Sequence, residues 1–399
     1  MNATTSSPRF EIHPGDPRLA DWLGDYPPWL FSEQLYESIE LMERYSIELA
    51  VDLARQLDLV SALRTWRSAD EVCGALSFQP PFRFALGWIL ERLLETECTE
   101  ERTEDGRRCY RLLHEPWEAD LASLRDIGLS IDPCNAPTLD LLDRAASVYP
   151  AVARGEQSAE QNLFGPEGIP LWLSYFSNEN LTYAVNNWVT AVLGAHCLAH
   201  RPKIRILEIG AGAGSASAAL LRWFSECGLL SRIERYLVTE PNAFFRRRAQ
   251  RQFRSEHVDL PVEFSALDLN LPWHTQGISP GEFDLVFGVN VFHIAKDLLF
   301  TLNEARAAVA NGGWLMIGEC LRPHANQPIY PELMFQILES FTNVELEPPF
   351  RPNPGFLTPE QWRAAFDRAG FANVRVAPEV EEIRKVYRHF FTGAICAQK

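Results

Sequence analysis

The spacing of apolar residues divides the chain into two regimes. Over residues 31–64 they recur at helical intervals (Leu35, Ile39, Met42, Tyr45, Ile47, Val51, Leu53, Leu57), which predicts helix. The pattern predicts another helix over 82–94, a polar, turn-prone stretch over 100–108 and a short apolar run over 109–113. A second helical block covers 136–198 and holds an aromatic-rich segment, 171–188. From Lys203 onward, short apolar runs alternate with helical stretches, the signature of strands joined by crossover helices in a parallel sheet. Strands are predicted at 204–209, 235–239, 262–267, 284–289, 314–320, 373–377 and 391–397, seven in all. A last helix is punctuated by Thr358 as N-cap, Pro359 at its first position, Gln361 completing a capping box and Gly370 as its stop.

At 399 residues the chain exceeds the usual size of one hydrophobic core. The expected division is an N-terminal arm over 1–30, which Trp22, Trp29 and Leu30 are available to dock, a helical domain over 31–135, a helical lid and linker over 136–200, and an α/β core over 201–399. Helices followed by a small hairpin resemble a winged-helix arrangement, expected here to act in dimerisation or as a cap. With 46% hydrophobic and 23% charged residues the composition is globular, and no apolar run approaches the roughly 18 to 20 residues that span a bilayer. The first residues carry no secretory pattern, which makes the cytoplasm the expected compartment. Eight scattered cysteines without a CxxC pair read as free thiols. A formal net charge of -16 repels phosphate backbones, and no basic stripe long enough to overcome it stands out, so nucleic acid is not an expected partner.

The strongest chemical signal is ILEIGAGAGSAS, in which a strand runs into Gly210, Gly212 and Gly214 before a helix. Glycines let a backbone approach a ligand closely and take positive φ. The spacing is G-x-G-x-G, and the third small residue of a dinucleotide fingerprint falls on Ser215 or Ser217, which argues against a nicotinamide oxidoreductase. Glu208, two residues before the first glycine, argues against a pyrophosphate site as well. Glu240 and Asp268 follow the second and third strands, at the carboxyl edge where open α/β sheets bind ligands. An acid at the first position can accept both hydroxyls of a ribose. A solvated turn residue is the alternative for either.

The E-x-G-x-G-x-G pattern resembles motif I of class I methyltransferases that use S-adenosylmethionine. ARGEQSAEQNLFG, EPNAFFRRRAQRQF, the LDLN turn, FDLVFGVNVFHIAKDLLFTLNEARAAVANGGWLMIGE and a closing RAGF extend the likeness to the methyltransferase domains of modular polyketide synthases. The resemblance implies a Rossmann-like α/β fold with a seven-stranded sheet and a mostly helical N-terminal cap. It also implies S-adenosylmethionine as donor and S-adenosylhomocysteine as product. The donor would be held by Glu208, the three glycines, Glu240, Asp268, Leu269 and Asn290. Two motif positions, His293 and Glu319, carry over as a catalytic dyad on neighbouring strands, with the histidine as base. An ordinary strand-end histidine and a structural glutamate are the alternatives to that assignment. The implied acceptor is an activated carbon of an acyl chain on a carrier protein, or a hydroxyl of a small molecule, with no metal required.

Trp172, Tyr175, Phe176 and Tyr183 are candidates to line an acceptor cavity, with plain interior packing as the alternative. One departure is PELMFQILESFTNVELEPPFRPNPGF, which stands where the family carries a Trp-rich segment. HIAKD and GECLRP also resemble plant-type small-molecule O-methyltransferases, which leaves carbon and oxygen as competing acceptors. A donor-binding module without catalysis is a further reading, and a homodimer through the N-terminal helices is implied by the resemblance alone.

Overall fold

The computed structural model describes residues 26–256 and 260–399; most of the expected N-terminal arm, with Trp22, lies outside them. Two compact units form, each discontinuous in sequence. Of the described residues, one comprises those up to Ile39, those within Phe176–Leu321 and Pro359–Lys399, and the other Glu40–Tyr175 and Arg322–Thr358.

The second unit is mainly helical. Apolar residues at helical spacing produce the helix Glu33–Gln56, which belongs to this unit from Glu40 onward, and Asp58, at φ 58°, separates it from the short helix Leu59–Ala62. Ser68 and Glu71 cap Ala69–Ala75 reciprocally, each side chain bonded to the other's backbone N–H. A small sheet contains β1 (Arg67–Ser68), β2 (Thr99–Glu104) and β3 (Arg107–Leu112) in the order β1-β3-β2. The stretch 100–108, expected as a turn, is therefore mostly strand. Only Asp105 and Gly106 make the turn, with φ of 49° and 76°, the conformation an Asp-Gly hairpin favours. Polar strands carry no apolar alternation, and here cross-strand ion pairs such as Arg111 with Glu100 and Arg108 with Glu101 replace it.

The helical block expected over 136–198 is divided into Ala136–Ala153, Ala159–Leu163, Gly168–Tyr175 and Leu181–Leu198. Residues 322–358, expected as part of the α/β core, group with the helical unit instead. Their attachments explain why. Glu43 accepts the Tyr330 N–H at 3.0 Å and the Arg92 guanidinium at 2.6 Å, while the Tyr149 hydroxyl donates to the Leu333 carbonyl at 2.7 Å.

The first unit is built on a seven-stranded sheet: β4 (Ile204–Glu208), β5 (Ile233–Thr239), β6 (Val262–Ser265), β7 (Phe283–Val289), β8 (Val309–Cys320), β9 (Ala372–Ala377) and β10 (Thr392–Gln398). Its order is β6-β5-β4-β7-β8-β10-β9, and β10 runs antiparallel to both neighbours. Every predicted strand is present, and β8 starts five residues earlier than its predicted start at 314. β7 is buried along its whole length, as expected for a central parallel strand. The order turns outward in both directions from β4 and β7. Ligands of open α/β sheets bind at the carboxyl ends of strands beside such a reversal. Asp284 sits at the other end of β7 and accepts the Arg205 backbone N–H at 2.9 Å, a structural role.

Candidate active site

The turn after β4 is set by its glycines. Gly210, Gly212 and Gly214 have φ of 65°, 54° and 91°, where a side chain is strained. Neighbouring backbone fixes the loop: Ile209 N–H donates to the Phe287 carbonyl at 2.8 Å and Ala211 N–H to that of Thr239 at 2.9 Å. A Cβ on Gly210 would lie 2.5 Å from Val291 Cγ2, so that glycine admits the turn that follows β7. At Gly212 a Cβ would meet nothing within 4 Å, and the backbone there faces open space.

Glu240, just beyond β5, is buried and accepts the Gly212 N–H at 2.9 Å and the Asn242 N–H at 2.8 Å. Burial pushes its carboxyl up, opposed by those two backbone donors. Each oxygen retains acceptor capacity for a further hydroxyl. Glu208 lies beneath the loop. Its Oε2 accepts from the Ser217 and Tyr236 hydroxyls, whereas its Oε1 is buried with no partner among the described residues. Desolvation outweighs the two hydroxyls and pushes the carboxyl up to about 7.

Asp268 is exposed beyond the end of β6, its Oδ1 accepting the Asn270 N–H at 2.9 Å in a local turn. The Leu269 side chain is buried, and its carbonyl accepts from the Thr301 hydroxyl at 3.2 Å.

β7 and β8 are hydrogen-bonded neighbours, and their carboxyl ends bring His293 and Glu319 together. Asn290 leaves β7 at φ 52°, donating its N–H to the Gly318 carbonyl at 2.8 Å, and the turn Phe292–Ile294 follows. His293 Nδ1 lies 2.7 Å from Glu319 Oε2. Glu319 Oε1 accepts the backbone N–H groups of Phe292 at 3.0 Å and His293 at 3.2 Å. Both side chains are almost fully enclosed, at 4% and 0% exposure, so the pair is held without competition from water. A carboxylate at Nδ1 favours the proton on that nitrogen and leaves Nε2 with the basic lone pair.

The helix Leu181–Leu198 supplies groups that the sequence reading missed. Asn186 Nδ2 donates to Asn290 Oδ1 at 3.2 Å and Asn187 Nδ2 to Asn178 Oδ1 at 2.8 Å. Asn178 in turn donates to the Ser215 carbonyl at 2.8 Å, at the start of the helix after the glycine loop. The signal was available, because adjacent carboxamides in an otherwise apolar helix must find partners.

The four aromatic candidates are divided between the two units. Tyr183 lies with its hydroxyl 3.3 Å from Ser215 Oγ and packs against Phe176, and burial pushes its phenol up to about 12. Trp172 and Tyr175 belong to the helical unit, where Trp172 is wholly buried and stacks on Phe164 at 5.1 Å. Interior packing accounts for these two.

A strand order of this kind over a glycine turn defines the class I methyltransferase fold, and residues 207–315 match the model of a methyltransferase domain. The chain resembles methyltransferase domains of polyketide synthases. It is 27% identical over 298 residues to the polyketide synthase PksR of Bacillus subtilis (strain 168), which covers 72% of the chain but only 11% of that protein. Among solved structures it is similar to the CurJ carbon methyltransferase, with a TM-score of 0.74 and 24% identity over 91% of this chain and 92% of that one. The trans-methyltransferase CalH, solved in complex with S-adenosylhomocysteine, gives a TM-score of 0.62 and 20% identity, with 91% of each chain covered.

Proposed function

We propose that the chain is an S-adenosylmethionine-dependent methyltransferase acting on an activated carbon of a polyketide-like acyl chain, with His293 as general base. The observation that carries this reading is the juxtaposition at one sheet edge: an open glycine turn packed against Val291, two residues before a buried His293–Glu319 pair. The residues present suit the donor. Open space over Gly212 admits a ligand against the backbone, and Glu240 has acceptor capacity for ribose hydroxyls. When bound, S-adenosylmethionine supplies a methyl group already activated on a sulfonium sulfur and leaves as S-adenosylhomocysteine.

The protein's part is then alignment and deprotonation. His293 Nε2 takes the acidic proton of the acceptor, and the ring carries it as imidazolium. Glu319 holds the ring in the basic tautomer and stabilises that positive charge, while its two backbone donors keep the carboxylate oriented. The likeness to a carbon methyltransferase favours carbon over oxygen as the acceptor atom.

Incubation with deuterated-methyl S-adenosylmethionine and an acetoacetyl thioester tests the reading by mass spectrometry. The label is expected on the carbon between the two carbonyls. A labelled ether from a hydroxylated acceptor, with the thioester untouched, decides for oxygen. Donor binding without transfer to any acceptor offered decides for a non-catalytic module.

A further inference from the structure

A chain with 53 acidic and 37 basic residues is expected to place an acid beside each of its bases. On the helix Ala243–Glu256 it does not. Arg247, Arg248, Arg251 and Arg254 are all exposed, and none has an ion pair or side-chain hydrogen bond among the described residues. Their spacing of three and four residues puts them on one face, with Phe244 at 39% exposure at its N-terminal end. The opposite face is apolar and covered: Phe245, Ala249 and Phe253 are buried, and Phe253 packs edge-on to Tyr236 and Phe264. Like charges at this spacing repel, so the face is unfavourable by itself and is relieved by an anionic partner. Nearby arginines behave differently. Arg246 donates to the Glu240 carbonyl, and Arg235 is paired with Glu263 and Glu282.

We propose that this face docks an acidic surface of the carrier protein that presents the acyl substrate. The inference rests on the methyltransferase reading above and names the partner of that same site. Arginine with an adjacent aromatic residue is the composition of interface anchors, and guanidinium groups pair carboxylates in a bidentate fashion. Position also fits. The helix begins three residues after Glu240, at the carboxyl edge that carries the glycine turn and the dyad, so a carrier seated here delivers a tethered chain to the reacting edge. The sequence offers no basic stripe long enough to overcome the net charge toward a phosphate backbone, and this one is short. From Arg247 to Arg254 it extends about 10 Å along the helix. An acidic protein face matches that length, whereas a long nucleic acid runs on into the field of a chain with net charge -16.

The test uses the full chain and an acetoacetyl-loaded acyl carrier protein labelled for fluorescence anisotropy, beside the acetoacetyl N-acetylcysteamine thioester as an untethered substrate. The double variant Arg247→Glu/Arg251→Glu is expected to lose about tenfold or more in carrier affinity, and wild-type binding to weaken as salt is raised. kcat/KM on the carrier-bound substrate falls in parallel, while kcat/KM on the free thioester and donor affinity stay unchanged. Carrier binding that is undetectable in wild type, or equal in wild type and variant, overturns the proposal. So does an equal loss on both substrates, which marks a structural helix, or tighter binding of a DNA duplex that displaces the carrier. Binding is read without turnover, so an inactive enzyme that docks the carrier through these arginines counts against the catalytic reading and not against the docking face.

Discussion

Replacing Glu319 with glutamine tests the dyad with almost no change in shape. The carboxylate has two jobs: Oε1 holds two buried backbone N–H groups and Oε2 holds His293 Nδ1. Glutamine can keep its carbonyl oxygen on the two N–H donors. Turning its NH2 toward them would strand three donors together, at about 1–3 kcal/mol for each buried group left unpaired. The NH2 therefore faces Nδ1, which must become an acceptor, and the imidazole proton moves to Nε2. Restoring the reactive tautomer gives up that buried hydrogen bond, about 1–3 kcal/mol, and loss of the charge beside the imidazolium adds about 1.5–3 kcal/mol. The sum, roughly 2.5–6 kcal/mol, corresponds to a fall in kcat of about 10²–10⁴-fold. Steady-state turnover at saturating donor, with calorimetric donor affinity as a control, is the assay. A Glu319→Gln enzyme turning over within about threefold of wild type, well under 1 kcal/mol, refutes the tautomer argument.

Three further outcomes follow from the same geometry. Glu208, pushed up to about 7 from an ordinary 4.5, contributes stability that is fully present below about pH 4.5 and lost as pH rises through 7. Wild type should therefore lose on the order of 3 kcal/mol relative to Glu208→Gln between acid and mildly alkaline pH, and parallel melting profiles would contradict the assignment. Gly212→Val strains the turn, because a β-branched residue disfavours φ 54°, and also fills the space assigned to the donor, with no atom of the described residues within 4 Å of the new Cβ, so its melting temperature is measured beside its affinity. S-adenosylhomocysteine affinity should drop by about tenfold or more, or about 1.4 kcal/mol, and unchanged affinity removes the loop from the donor site. In the helical unit, Glu43→Ala leaves the Arg92 guanidinium, at 2% exposure, without its closest partner. Chemical denaturation should show a loss of about 3–5 kcal/mol, and a loss below 1 kcal/mol would mean the pair is not buried in solution.

The sheet was legible because its strands are buried on both faces and so read as continuous apolar runs, β7 most plainly. β2 was not, since its residues after Thr99 are polar and held by cross-strand charge pairs that leave no hydrophobic period. That the segment 322–358 groups with the helical unit was not legible for a related reason. Nothing local in a run of apolar residues says which interior it enters, and contacts such as Tyr149 to Leu333 join residues far apart in the chain.

Residue types and strand ends were enough to place His293, Glu319 and Glu240 at the carboxyl edge of the sheet, where ligands of open α/β sheets bind. Burial was invisible, and it separates Glu208, enclosed beneath the loop, from Asp268, exposed in its turn. Asn186 and Asn187 were overlooked because helical periodicity was read for its apolar members alone.

Methyl transfer at this sheet edge requires a donor seated in the turn after β4, and titration calorimetry with S-adenosylmethionine measures this directly. Saturable binding of one donor per chain is expected, weakened by Gly212→Val. No heat of binding at millimolar donor would contradict it.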